Sequence, residues 1–192
     1  GKVLAQKKLN KWMNDYSEIW VPDDTSINLS GKLSVNHSLT TKQIKIGLLS
    51  QFYGAGVEEE VSDQFCLLLS GPPSLKKTFL KEVKSLSIVK LQVIGESGKE
   101  QFDSRALEKA LKLSKALICK SGYSSLMDVL FVGKHAFVEA TKGQSEQEYL
   151  AAYVLRISNF HSIEKIEAEQ ELDLLLPYVN TQLDQHLNNI LC

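Results

Sequence analysis

No apolar run in this 192-residue sequence comes near the ~20 residues that a membrane-spanning helix requires, and no signal-peptide pattern opens it. An excess of basic residues is missing too. Lys and Arg number 22 against 23 Asp and Glu, a net charge of −1, which argues against a surface built to coat nucleic acid. Only three cysteines occur. Cys66 and Cys119 lie inside apolar runs and Cys192 ends the sequence. An odd number without a spacing pattern excludes a disulfide framework and reads as reduced thiols in a cytoplasmic protein. The four histidines, His37, His135, His161 and His186, are scattered, with no metal-ligand spacing to a cysteine or carboxylate. No metal is expected.

What is present is an ordinary globular composition, 43% hydrophobic and 23% charged, long enough for one solid core or two small ones. Short β-rich runs at residues 18–21, 44–47, 65–69, 88–93, 116–119 and 136–139 are mostly apolar throughout, as strands covered on both faces are. Helical patterns near 74–84, 104–112, 121–131 and 145–154 lie between the later ones. The alternation predicts βαβ units and an α/β fold with a parallel sheet. Residues 3–13 read as a helix entering as though from a longer chain. Residues 23–43 read as a polar connector, 163–176 as an acidic helix and 177–191 as a further helix begun by Pro177. In that last helix Leu183, Leu187 and Leu191 make a narrow apolar stripe.

Ligands of open parallel sheets sit outside the carboxyl ends of the strands, so the loops there are where chemistry is expected. In "LLLSGPPSLKKTFL" Ser70-Gly71 permits a tight turn, and Leu75, Phe79 and Val83 form a buried stripe. Lys76 and Lys77 fall in the first helical turn, where the dipole disfavours cations unless an anion is bound; alternatively they simply point to solvent. In "ALICKSGYSSLMDVL" Ser121 is expected to cap the next helix, and Gly122 leaves backbone N–H groups open to an anion. Ser121, Ser124, Ser125 and Asp128 share a face, so a phosphate at the helix start and a ribose diol on Asp128 would fit; an amphipathic helix with a serine cap explains the same residues. In "EATKGQSEQEYLA" Ser145 and Glu148 form a capping box, leaving Gln144, Glu146 and Gln147 at the helix mouth. With Lys76, Lys77, Lys120 and Lys142 nearby, the three helix starts predict a diphosphate-sized pocket.

The order Cys119-Lys120-Ser121-Gly122, Asp128, Gly133, then Gln144-x-Glu146-Gln147-Glu148-Tyr149-Leu150-Ala151 resembles the carboxyl-terminal domain of glycosyltransferase family 28, a bacterial family. The likeness spans roughly residues 19–155. It implies one half of a GT-B enzyme, a Rossmann-like sheet with helices on both faces. Residues 1–43 would be a terminal helix, strand and connector from an amino-terminal half, 44–160 the nucleotide-sugar domain, and 161–192 helices returning toward the other half. The resemblance implies a nucleoside-diphosphate sugar, foremost a UDP-sugar, as donor substrate, with no further cofactor and an acceptor of unknown kind. It places Ser70, Gly71, Ser74, Ser121 and Gly122 near the diphosphate, Asp128 on the ribose, and Glu146 and Gln147 at the sugar, with Lys120 and Gln144 as further donor-binding residues. Phe102 is the candidate for stacking on the base. The general base would come from the other half, and the fragment alone is expected to transfer nothing. A non-catalytic nucleotide-sugar binder and a sugar-nucleotide epimerase are the competing readings. Nucleic acid is not an expected partner; peripheral membrane contact of a longer protein is left open.

Overall fold

The structure, a computed structural model, describes residues 2–52, 62–86, 88–96, 104–167, 172, 175 and 178–191. Phe102, Pro177 and Cys192 lie outside the described residues. The chain divides into two compact units, residues 1–49 with 180–192, and residues 50–179.

The larger unit is an α/β Rossmann-like fold. Its strands β3 (Phe65–Leu68), β4 (Leu91–Ile94), β5 (Ala116–Lys120), β6 (Ala136–Glu139) and β7 (Phe160–Ser162) form one parallel sheet in the order β4-β3-β5-β6-β7. Its helices are α2 (Pro73–Lys84), α3 (Ser104–Leu113), α4 (Tyr123–Phe131) and α5 (Ser145–Tyr153). Strand β5 is buried along Ala116–Cys119, because both its edges are paired and both its faces are covered. On one face Leu67, Ile118 and Phe137 pack with Phe79 and Val83 of α2 and with Ile166. The alternate residues Cys66, Leu117, Cys119, Ala136 and Val138 are buried as well, so the second face is also covered. The right-handed hand of βαβ crossovers assigns that face to α3, α4 and α5. Burial pushes the thiols of Cys66 and Cys119 up to about 12, which keeps both protonated and inert.

The smaller unit holds α1 (Lys2–Met13), a two-stranded parallel sheet of β1 (Glu18–Val21) and β2 (Lys42–Lys45), and α6 (Thr181–Leu191). Asn180 ties its two stretches together. Its amide donates to the Leu48 carbonyl at 2.7 Å, and its Oδ1 accepts from Gln182 N and Leu183 N, both at 3.1 Å, capping α6. Gly47 (φ +80°) makes room for this; a Cβ there would stand 2.1 Å from Asn180 Oδ1.

Several expectations are corrected. Residues 18–21 and 44–47 do not join the main sheet, and the second pairs from Lys42 to Lys45. The run 88–93 starts as a strand only at Leu91; Val89 is 94% exposed. Strand β7 was not anticipated. In place of a helix over 163–176, Ile163–Lys165 is a 3-10 turn and the described residues Leu172 and Leu175 are not helical. The last helix begins at Thr181. Residues 23–43 are no plain connector. They contain the 3-10 helix Gly31–Ser34 and wrap around the buried Asp23.

Candidate functional site

Strands β4, β3, β5 and β6 are parallel and adjacent, so the loops that follow them share one edge of the sheet. From β3 the chain crosses by α2 to β4 on one side; from β5 it crosses by α4 to β6 on the other. The sheet therefore has its topological switch point between β3 and β5, flanked by Ser70-Gly71 and Ser121-Gly122, the place where open α/β sheets form their binding crevice. The amino ends of α2 and α4 start at this crevice, and α5 starts beside it.

The β3 loop is open. Ser70, Gly71 and Ser74 are exposed. Gly71 holds φ +88°, a conformation glycine alone adopts easily, and a Cβ there would meet nothing within 4 Å. Pro73 occupies the first helical position. Lys76 Nζ donates to the Gly95 carbonyl at 2.9 Å, which anchors α2 to the loop after β4. Lys77 is exposed.

The β5 loop divides its residues between structure and surface. Ser121 is fully buried and does not cap α4. Its N–H donates to the Glu139 carbonyl at 2.9 Å and its hydroxyl to the Gln147 carbonyl at 2.8 Å, stapling this loop to β6 and α5. Gly122 is the capping residue instead. Its φ of −70° and ψ of 137° suit any residue, and a Cβ would meet nothing within 4 Å. Serine or aspartate would cap better, so neither the backbone nor the packing accounts for glycine at this position.

Lys120 is committed to the protein. Its Nζ lies 2.9 Å from Glu139 Oε2, 3.8 Å from Glu82 Oε2 and 4.0 Å from the centre of the Phe79 ring. A carboxylate thus balances the charge expected at the diphosphate.

The β6 loop is organised one residue away from the expected capping box. Gln144 precedes the helix without a side-chain cap, and Glu148 Oε1 accepts from Gly143 N at 2.8 Å. Gln147 Oε1 accepts from Thr141 N at 3.0 Å, so this side chain braces its own loop. Gln144 and Glu146 are exposed at the same edge, as is Lys142.

Asp128 is half-buried on the second turn of α4, where Ser50 Oγ donates to Oδ1 at 2.5 Å. Burial holds its carboxyl above the ordinary carboxylate range, against the pull of hydrogen bonds from Ser50 and Gln51. Ser50 is a site residue that sequence reasoning missed; the two lie 78 positions apart, and no spacing rule joins them. The raised value has a sign. Between the unfolded and folded values the native state binds more protons, so this group's contribution falls as pH rises through that window. Asp128→Asn is therefore expected to gain stability relative to the parent between about pH 3 and about pH 7. Urea midpoints at both values read this, and an unchanged difference would remove the burial argument.

The arrangement can seat an anion between two helix amino ends. The exposed groups around it are Ser70, Ser74, Gln144 and Glu146. His135, immediately before β6, has a ring nitrogen 2.8 Å from that of His161, which lies in β7 opposite Phe137. His135 therefore stands at the opposite edge of the sheet.

Compared with known proteins, the chain matches no family model, no curated protein and no solved structure. Among the described residues no group of three or more His, Cys, Asp or Glu is placed to hold a metal, and no helix is long and apolar enough to cross a membrane.

Proposed function

We propose that residues 50–179 are the donor-binding part of a glycosyltransferase similar to family 28, taking a nucleoside-diphosphate sugar, foremost a UDP-sugar. The observation that carries this reading is the topological switch point of the sheet, where such a crevice forms. Two helix amino ends open onto it, between a loop with the tight turn at Gly71 and the structurally unexplained Gly122.

In this reading the first-turn amides of α2 and α4 hold the two phosphates. As the bond from the sugar C1 to the diphosphate oxygen breaks, negative charge grows on that oxygen, and fixed amide dipoles stabilise it without reorganising. Ser70 and Ser74 supply hydroxyls at the rim. Gln144 and Glu146 face the sugar. Asp128 would exchange its bond to Ser50 for the ribose diol, so nucleotide binding and that bond exclude each other. Lys120, Ser121 and Gln147 act indirectly, by fixing the loops. The acceptor and the general base come from outside residues 50–179. The epimerase reading would need an acid–base pair at the crevice; His135 lies at the other edge of the sheet, and the carboxylates Asp128 and Glu146 are given to the ribose and the sugar in the present reading.

Calorimetric titration with UDP, GDP, ADP and CDP tests the proposal. UDP is expected to bind tightest. Gly122→Val adopts the same φ and ψ without strain and fills the seat. It should weaken UDP binding by about 10- to 100-fold, the worth of one charge-assisted hydrogen bond lost, at an unchanged melting temperature. Absence of binding by every nucleotide, or equal binding by the valine variant, rejects the crevice as the site.

A further inference from the structure

The helix α1 (Lys2–Met13) is built the wrong way round for its own unit. Its inward contacts are polar. Asn10 Oδ1 accepts from Asn36 Nδ2 at 3.1 Å, and Asn14, just past the helix, accepts from Thr40 N at 2.9 Å and Thr41 N at 3.2 Å. Three of its apolar residues face outward. Leu4, Leu9 and Trp12 are 75, 46 and 55% exposed, and Tyr16 after the helix is 68% exposed. No described residue of α1 is buried. A helix of 12 residues is marginal without an apolar partner, and among the described residues Leu4, Leu9 and Trp12 stay largely exposed.

Its charge says what kind of partner fits. The helix contains Lys2, Lys7, Lys8 and Lys11 and no acidic residue, within a chain whose net charge is −1. Leu9 and Trp12 stand side by side at i, i+3, and Lys7, Lys8 and Lys11 occupy the adjoining strip. The Lys8 ammonium lies over the Trp12 ring, 4.9 Å from its centre. The centre of a protein interface is depleted of lysine. A lysine strip beside an exposed tryptophan and leucines instead matches an anionic lipid surface: the indole and leucines enter the headgroup boundary while the ammonium groups meet phosphates.

We propose that α1 is an interfacial helix that docks this protein on membranes containing anionic phospholipid. The proposal does not depend on the nucleotide-sugar reading. The test uses the whole chain and vesicles of phosphatidylcholine, with or without phosphatidylglycerol. The protein should sediment with the anionic vesicles and not with the neutral ones. Each lysine near an anionic surface contributes about fivefold, so Lys7→Gln, Lys8→Gln and Lys11→Gln together should weaken binding about a hundredfold. These positions are exposed, and the far-ultraviolet circular dichroism of the variant should match the parent. In a Trp20→Phe background, Trp12 emission should shift to the blue on adding anionic vesicles. Three outcomes each overturn the proposal: no sedimentation with anionic vesicles, equal sedimentation with neutral ones, or sedimentation that leaves Trp12 emission unmoved.

Discussion

Asp23→Ala is expected to destabilise the smaller unit by about 3–5 kcal/mol, the cost of breaking a buried pair from one side. Asp23 is fully buried, and every interaction of its carboxylate is local to residues 23–45. Oδ1 accepts from Asp24 N at 2.9 Å and from Leu29 N at 2.8 Å; Oδ2 accepts from Ser30 Oγ at 2.7 Å and from Lys45 Nζ at 3.0 Å. One side chain thus fixes both ends of the 24–30 turn and joins β1 to the end of β2. Alanine leaves two buried N–H groups without acceptors and takes the carboxylate from the Lys45 ammonium, which is 27% exposed and keeps its bond to Asn28 Oδ1 at 2.9 Å. Lys45→Met should cost less, because Ser30 and the two backbone donors still stabilise the carboxylate. Urea titration followed by Trp20 emission reads both variants. A cost below about 1 kcal/mol for Asp23→Ala would match an exposed pair rather than a buried hub.

The same residue shows where sequence reasoning stops. In the one-dimensional chain Asp23 is one polar residue in a polar stretch, and a connector is the reading that pattern supports. Its role depends on Lys45, 22 positions on, and only a closed fold reveals it. The main sheet was more legible. Strands β3, β5 and β6 are continuous apolar runs between helical patterns, and that signal is set by two-sided burial. Strand β7 spans three residues, Phe160–Ser162, too few to show a period. The runs 18–21 and 44–47 read as strands like the others, but local pattern does not say which sheet a strand joins. At the crevice, the edge and the helix starts follow from the alternation of elements. The fates of Lys120 and Ser121 do not, because each is decided by a partner on another element, Glu139 and the Gln147 carbonyl, and Gln147 turns back on Thr141 N of its own loop. A polar residue at a helix mouth can serve a ligand or the loop beside it, and its sequence position is the same in both cases.

Phe137→Ala is expected to cost the larger unit about 3–5 kcal/mol, the range for emptying a buried aromatic site. Phe137 is fully buried in the middle of β6, with the Phe65 ring 6.0 Å away and the His161 ring 5.3 Å away, centre to centre. It belongs to the face packed under α2 with Leu67, Ile118 and Ile166. The surrounding atoms are held by strand pairing on both sides, β5 and β7, so they can collapse only partly into the space left by the ring. Phe137→Leu, which refills much of that space, should fall between alanine and the parent. Val89→Ala, at a residue 94% exposed, should stay within about 0.5 kcal/mol. The position also matters for the crevice. Two residues after Phe137, Glu139 holds Lys120 through its carboxylate and Ser121 through its carbonyl. Shifting β6 therefore shifts the loop that carries Gly122. If the crevice binds UDP, the alanine variant should lose affinity even under conditions where it remains folded, while the leucine variant keeps it. Chemical denaturation and calorimetry on the same preparations separate the two effects. Full UDP affinity in a destabilised but folded alanine variant would show that the β5 loop keeps its geometry without support from β6.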